Sequence, residues 1–137
     1  PPFRTQTHRE DLINALKENI IDVITSDHSP WDTEEKQKEF ELAKFGISSL
    51  ETTFSTALSN LIEMIGLESI ITKISINPRS ILQLEIPILK VGFEANFTLY
   101  NPDKKWTPSK ENWLSKSKNS PFFGKELRGE VYQIIKN

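Results

Sequence analysis

The sequence contains no cysteine, which excludes disulfides and cysteine-based zinc sites. Histidine is scarce: His8 and His28 are the only two, and they form neither an H-x-H nor an H-x-x-x-H pair. A metal centre needs three or four protein ligands at defined spacing, so these 137 residues do not spell one out. Net charge is also low, at −2, which gives no reason to expect nucleic acid or an acidic membrane as a partner. No apolar run approaches the roughly 20 residues that span a bilayer. No signal-peptide pattern is present, so a cytoplasmic location is the default expectation. There is no Gly-rich phosphate loop, no Ser-His-Asp arrangement and no interleaved basic and aromatic patch.

What remains is ordinary for a globular chain: 36% hydrophobic and 26% charged. The length fits one domain or the cut end of a larger one. Pro1-Pro2-Phe3-Arg4 cannot start a central strand, because neither proline donates to a ladder. The opening reads as a loop leaving something upstream, so a fragment is the expectation, with a processed terminus as the alternative.

Thr7 to Glu10 has the form of a capping box, with Leu12, Ile13 and Leu16 following at helical spacing. Asn19 suits the stop. Ile20 to Ser26 is short, β-branched and mostly apolar, the pattern of a buried parallel strand. Residues 32–45 are polar and charged and form either a surface helix or a long loop. Ser48 and Glu51 make a second capping box, followed by an apolar stripe from Leu50 to Ile65 and a stop at Gly66. A short helix carrying Leu67, Ile70, Ile71 and Ile74 comes next. Asn77-Pro78 is expected to cap one further turn or two over 78–83. Past residue 84 the texture becomes β-rich. Strands are expected at 96–100 and 130–135, a turn at Asn101-Pro102-Asp103, and a short helix from Thr107-Pro108 carrying Trp113 and Leu114.

Asp27 is the sharpest candidate for chemistry. It stands at the expected C-terminal end of the buried strand, where parallel α/β folds place catalytic groups. A carboxylate there can ligate a metal or move a proton; a turn or cap aspartate is the plainer reading. His28 would point to the opposite face of a strand, so a hydrogen-bonded structural role is expected for it. His8 reads as a surface or capping residue, Ser48 and Glu51 as capping residues, and the Lys/Glu run as a solvated face.

Several segments, taken together and in order, resemble the dihydroorotases of the cyclic amidohydrolase superfamily. Pro1-Pro2-Phe3-Arg4 followed by Val23 to Pro30 resembles the family's N-P-P-[LF]-R and D-H-x-P order. Phe45 to Thr52 resembles F-G-x-x-G-L-E-T, and Ile76-Asn77-Pro78-Arg79 resembles the N-P-A-R turn. Lys90 to Tyr100 resembles the G-x-x-A-D-[IL] strand, and Ser117 to Gly124 the S-x-N-[ST]-P end. The resemblance covers the whole chain; each motif alone is weak.

It implies an α/β fold: the C-terminal part of a (β/α)8 barrel of the metal-dependent hydrolase type, over residues 1–84, and part of a flanking β-sandwich, over 85–137. It implies reversible hydrolysis of dihydroorotate to N-carbamoyl-L-aspartate in pyrimidine synthesis. Asp27 matches the family's strand-8 aspartate, so it is implied as both zinc ligand and proton shuttle. Trp31 and Gly46 match positions implied to contact substrate. Trp31 departs from the usual D-H-x-P-H, Lys44 stands where proline is common, and Ser49 replaces the second glycine of F-G-x-x-G. The other zinc ligands of the family belong upstream, so this chain alone is expected to be inactive. Implied partners are a second copy and aspartate transcarbamoylase, the latter for a non-catalytic relative. Hydantoinase- or allantoinase-like activity on other cyclic amides is the further alternative.

Overall fold

The computed structural model describes residues 4–136, so Pro1-Pro2-Phe3 lie outside the described residues. Helix α1 runs Gln6–Lys17. It starts two residues ahead of the capping box, because Thr5 rather than Thr7 accepts the His8 amide, at 3.4 Å. It stops where Asn19 turns left-handed at φ 56°. Only Ile13 and Leu16 are buried on this helix.

Residues 20–26 form no strand. A strand needs at least one neighbour to form a ladder with, and the described residues hold no strand beside this segment. Side chains take over. Lys73 Nζ donates to the Ile21 carbonyl at 2.7 Å, Asn77 Nδ2 to that of Asp22 at 2.8 Å, and the Ile24 amide donates to the Lys73 carbonyl at 3.0 Å. Asn77 therefore serves the neighbouring segment rather than capping a new helix. The polar stretch that follows contains one short turn of helix, α2 (Thr33–Lys36), capped by Asp32, whose carboxylate accepts the Glu35 amide at 2.7 Å.

A 3-10 turn, Leu50–Thr52, leads into α3 (Thr53–Ile71). Gly66 at φ 76° kinks α3 instead of ending it. A π-helical turn, Thr72–Ile76, then joins α3 to α4 (Asn77–Ile81). The whole stretch from Leu50 to Ile81 is long and apolar enough to cross a membrane by length and composition, although polar residues interrupt every apolar run within it. In the fold its inner face is the core of the protein. Ala57, Leu58 and Ile70 are buried, with Phe54, Leu61, Ile62 and Ile74 packed around them. Leu50 does not join the stripe; it is exposed.

The sheet is a two-stranded antiparallel hairpin, β1 (Asn96–Trp106) with β2 (Leu127–Lys136). The Asn-Pro-Asp turn signal produces an irregularity inside β1 rather than its end. Asn101 Oδ1 accepts the Asp103 amide at 2.9 Å and the Lys104 amide at 3.2 Å, and pairing resumes at Lys105. The hairpin lies on α3. Phe54 meets Tyr100 edge-on with ring centroids 4.8 Å apart. Gly129, at φ 92°, lets Leu58 press on the backbone, and a Cβ there would overlap Leu58 Cδ1. Ser55 Oγ donates to the Gly129 carbonyl, which also takes the Trp106 indole N–H at 3.0 Å.

No helix follows Thr107-Pro108. Trp113 is buried, its N–H donating to Ser48 Oγ at 3.1 Å and its ring edge-on to Phe123, while Leu114 faces solvent. Many other large apolar side chains are also uncovered, Phe40, Phe45, Leu89 and Val91 among them. The described residues contain helices and one small sheet, with no barrel among them.

Candidate active site

The segment from Ser26 to Trp31 and the loop from Lys44 to Glu51 are stitched together. The Ser29 amide donates to the Ile47 carbonyl at 3.1 Å, and His28 bridges Ile47 in the parallel sense. Ser49 Oγ donates to the Ser26 carbonyl at 2.7 Å. The serine that stands in place of the family's second glycine thus ties the two segments together. His28 Nδ1 accepts the amides of Ser49, at 3.1 Å, and Leu50, at 3.0 Å. That nitrogen therefore carries no proton, and His28 holds the backbone in place.

Asp27 sits between these ties. It is exposed, and its backbone is left-handed at φ 44°. Its amide donates to Thr25 Oγ1 at 3.2 Å. A non-glycine residue at positive φ is uncommon, aspartate tolerates it better than most, and such residues gather at functional sites. The Asp27 carboxylate oxygens make no hydrogen bond among the described residues. Such a carboxylate can hold a cation or take and return a proton.

Trp31 and Gly46 come together. A Cβ on Gly46 would lie 2.6 Å from Ser29 Cβ and 2.7 Å from the Ser29 carbonyl oxygen, and φ is 123°. No larger residue fits this close approach. The Trp31 indole N–H donates to the Phe45 carbonyl at 2.7 Å, so its single donor is committed to the loop. Lys44 Nζ stands 5.8 Å from the centre of the same ring. Neither residue is hydrogen-bonded to the Asp27 carboxylate. His8 stays on the surface beside Thr5.

Ser48 and Glu51 do not form a capping box. Ser48 Oγ takes the Trp113 N–H, and the Glu51 carboxylate accepts the amides of Leu114 and Ser115, both at 2.9 Å. A residue that pattern reading missed is Lys73, at 1% exposure. Its ammonium donates to Asn19 Oδ1 at 3.0 Å as well as to Ile21. The signal was a lone cation in the largely apolar run from Leu67 to Ile76, which also holds Glu68. Such a run reads as helical core and hides a buried cation in it.

The described residues hold no group of three or more His, Asp or Glu side chains able to bind a metal. Asp27 offers one ligand of the three or four that zinc takes, so this set of residues does not by itself fit the ion.

No protein-family model matches the chain. Curated sequences do. It is 43% identical over 139 residues to a dihydroorotase of Caldicellulosiruptor saccharolyticus, covering all of this chain and 32% of that protein. It is 40% identical to a dihydroorotase of Clostridium acetobutylicum, covering 33% of it. Among solved structures, an L-hydantoinase (dihydropyrimidinase) of Arthrobacter aurescens superposes on 99% of the chain, with a TM-score of 0.87 at 24% identity, using 32% of its own length. An inactive dihydroorotase-like domain of a CAD-like multifunctional protein from Chaetomium thermophilum matches with a TM-score of 0.68 at 20% identity, covering 98% of this chain and 36% of that one. Fold and sequence together place the chain among the cyclic amidohydrolases. Within that class its curated homologues are dihydroorotases, and it spans about a third of the length of these relatives.

Proposed function

We propose that the chain is the C-terminal part of a dihydroorotase, which interconverts dihydroorotate and N-carbamoyl-L-aspartate in pyrimidine synthesis. In this reading residues 1–84 supply the last βα units of a (β/α)8 barrel, and residues 85–137 supply a segment of the flanking β-sandwich. Residues 20–26 take up strand geometry only when neighbouring strands provide a ladder. The observation that carries the reading is the match to dihydroorotases over the whole chain, with Asp27 an exposed carboxylate on a left-handed residue.

Asp27 takes a proton from the attacking water and returns it to the ring nitrogen as the C–N bond breaks. Trp31 and the Gly46 turn flank the substrate. Asp27 would supply one ligand to a zinc ion whose remaining ligands come from outside these residues, and the bound ion would activate the attacking water, so the chain alone is expected to be inactive. Its uncovered apolar surface meets the rest of the enzyme or a second copy, as large exposed patches usually do. The setting is cytoplasmic.

A chimera tests this, with the chain replacing the matching third of the Clostridium acetobutylicum dihydroorotase. Zinc-dependent turnover of dihydroorotate is expected, falling by about 100-fold or more in Asp27→Ala. A folded chimera that hydrolyses hydantoin but not dihydroorotate would redirect the reading to the hydantoinase-like alternative.

A second reading has one observation in its favour: the single Trp31 donor is already bound to the Phe45 carbonyl, which leaves it none for a substrate. In it the chain belongs to a non-catalytic dihydroorotase-like subunit that supports aspartate transcarbamoylase. A chimera that is inert with zinc, yet co-elutes with aspartate transcarbamoylase, would select it.

A further inference from the structure

Three consecutive carbonyls of the loop before Ser48 are each held by a side-chain donor. Lys36 Nζ reaches the Lys44 carbonyl at 2.7 Å and the Gly46 carbonyl at 3.1 Å. Trp31 Nε1 reaches that of Phe45 between them. Asn119 Nδ2 makes a second bond to the Gly46 oxygen at 3.1 Å, while the Asn119 carbonyl takes the Ser48 amide at 2.7 Å. Asn119 lies in the β-rich tail, 73 residues from Gly46.

A loop left to water would keep its carbonyls solvated and its backbone free to turn. Here one ammonium and one amide converge on a single oxygen, in a residue whose φ of 123° only glycine adopts readily. Bonds from a charged donor are the stronger kind. They fix the peptide planes on either side of Gly46 and press the turn against Ser29, two residues past Asp27.

We infer that Lys36 and Asn119 are positioning residues: together they grip the Gly46 carbonyl and set the turn beside Asp27. The inference rests on the proposed role of that turn in substrate contact. It places one of the two holders on the short helix after Trp31 and the other in the C-terminal tail, so the tail completes the site wall.

Amide hydrogen exchange on the 137-residue chain is the direct test. In Lys36→Met, the Lys44 and Ser48 amides are expected to exchange about tenfold faster or more, because both bonds of the Lys36 ammonium are lost. The Leu58 and Ile70 amides of α3 should not change. Lys36→Arg should restore protection, and Asn119→Ala should loosen Ser48 alone. Unchanged exchange at Lys44 and Ser48 overturns the inference. So does faster exchange throughout α3, which would mean a general folding role. In the chimera, Lys36→Met should raise KM about tenfold with kcat within about twofold, and Lys36→Arg should recover it. A chimera inactive before any substitution speaks against the enzymatic reading alone, because the exchange result stands without turnover.

Discussion

The half of the molecule around α3 and the half around Asp27 are held by different forces. Between α3 and the hairpin, apolar side chains interlock: Leu58 fills the space that Gly129 leaves, and Phe54 meets Tyr100. From Ile20 to Trp31 there is almost no ladder and little core. Discrete polar groups do the holding there, namely Lys73, Asn77, Ser49 and His28. Packing is dense and non-directional, and it resists local change. A polar clamp is directional, so it can set one residue's orientation while leaving its surroundings open. The segment that carries the exposed Asp27 carboxylate has the second kind of support.

Truncating the core should break the comparison most severely. Leu58→Ala is expected to cost about 3 kcal/mol, through lost burial and a cavity against Gly129. Urea denaturation reads this as a fall in midpoint at unchanged slope. A cost below about 1 kcal/mol would mean that the hairpin does not pack on α3 as described.

Lys73→Met should sharpen the contrast. It removes two hydrogen bonds but also a costly buried charge, so the net change in stability should stay within about 1 to 2 kcal/mol. Locally the effect is larger: the Ile24 amide should lose about tenfold in exchange protection while α3 keeps its own. Uniform loss across both regions would contradict separate support.

Asp27→Gly should run the other way. Glycine relieves the positive φ, and stability is expected to rise by up to about 1 kcal/mol while any catalytic role disappears. A destabilised Asp27→Gly would show that the carboxylate holds the fold.

The smallest effect lies on the hairpin surface. The Glu130 carboxylate, 2.6 Å from Lys104 Nζ, holds that ammonium above the ordinary lysine value. A raised folded value means the pair's contribution is fully present below the unfolded lysine pKa of about 10.4, and is lost as pH rises through the folded value. Glu130→Gln should flatten this shallow alkaline decline in the urea midpoint. An identical decline in the variant would assign it to other groups.

Local pattern was enough for the elements whose stability is local. α1 stops at Asn19 because asparagine accepts a left-handed backbone, and Phe54, Leu58 and Leu61 gather on one side because they stand four and three residues apart in a helix. The order of weak motifs singled out Asp27, Trp31 and Gly46 as candidates, and the structure brings the last two together. Pattern misled where a residue had two possible partners. Ser48 and Glu51 have capping spacing, yet both reach the tail 63 or more residues away. The Asn101 turn bends a strand without ending it, because β2 continues beside it.

What the sequence determined by itself was therefore the helical core and the position of one carboxylate in the chain, since periodicity and turn chemistry act over a few residues. The tertiary structure decided the rest. Lys73 enters the core, three donors meet on the 44–46 carbonyls, and residues 20–26 run without a ladder. A hydrogen bond between distant residues depends on where the chain returns, and no local preference encodes that return.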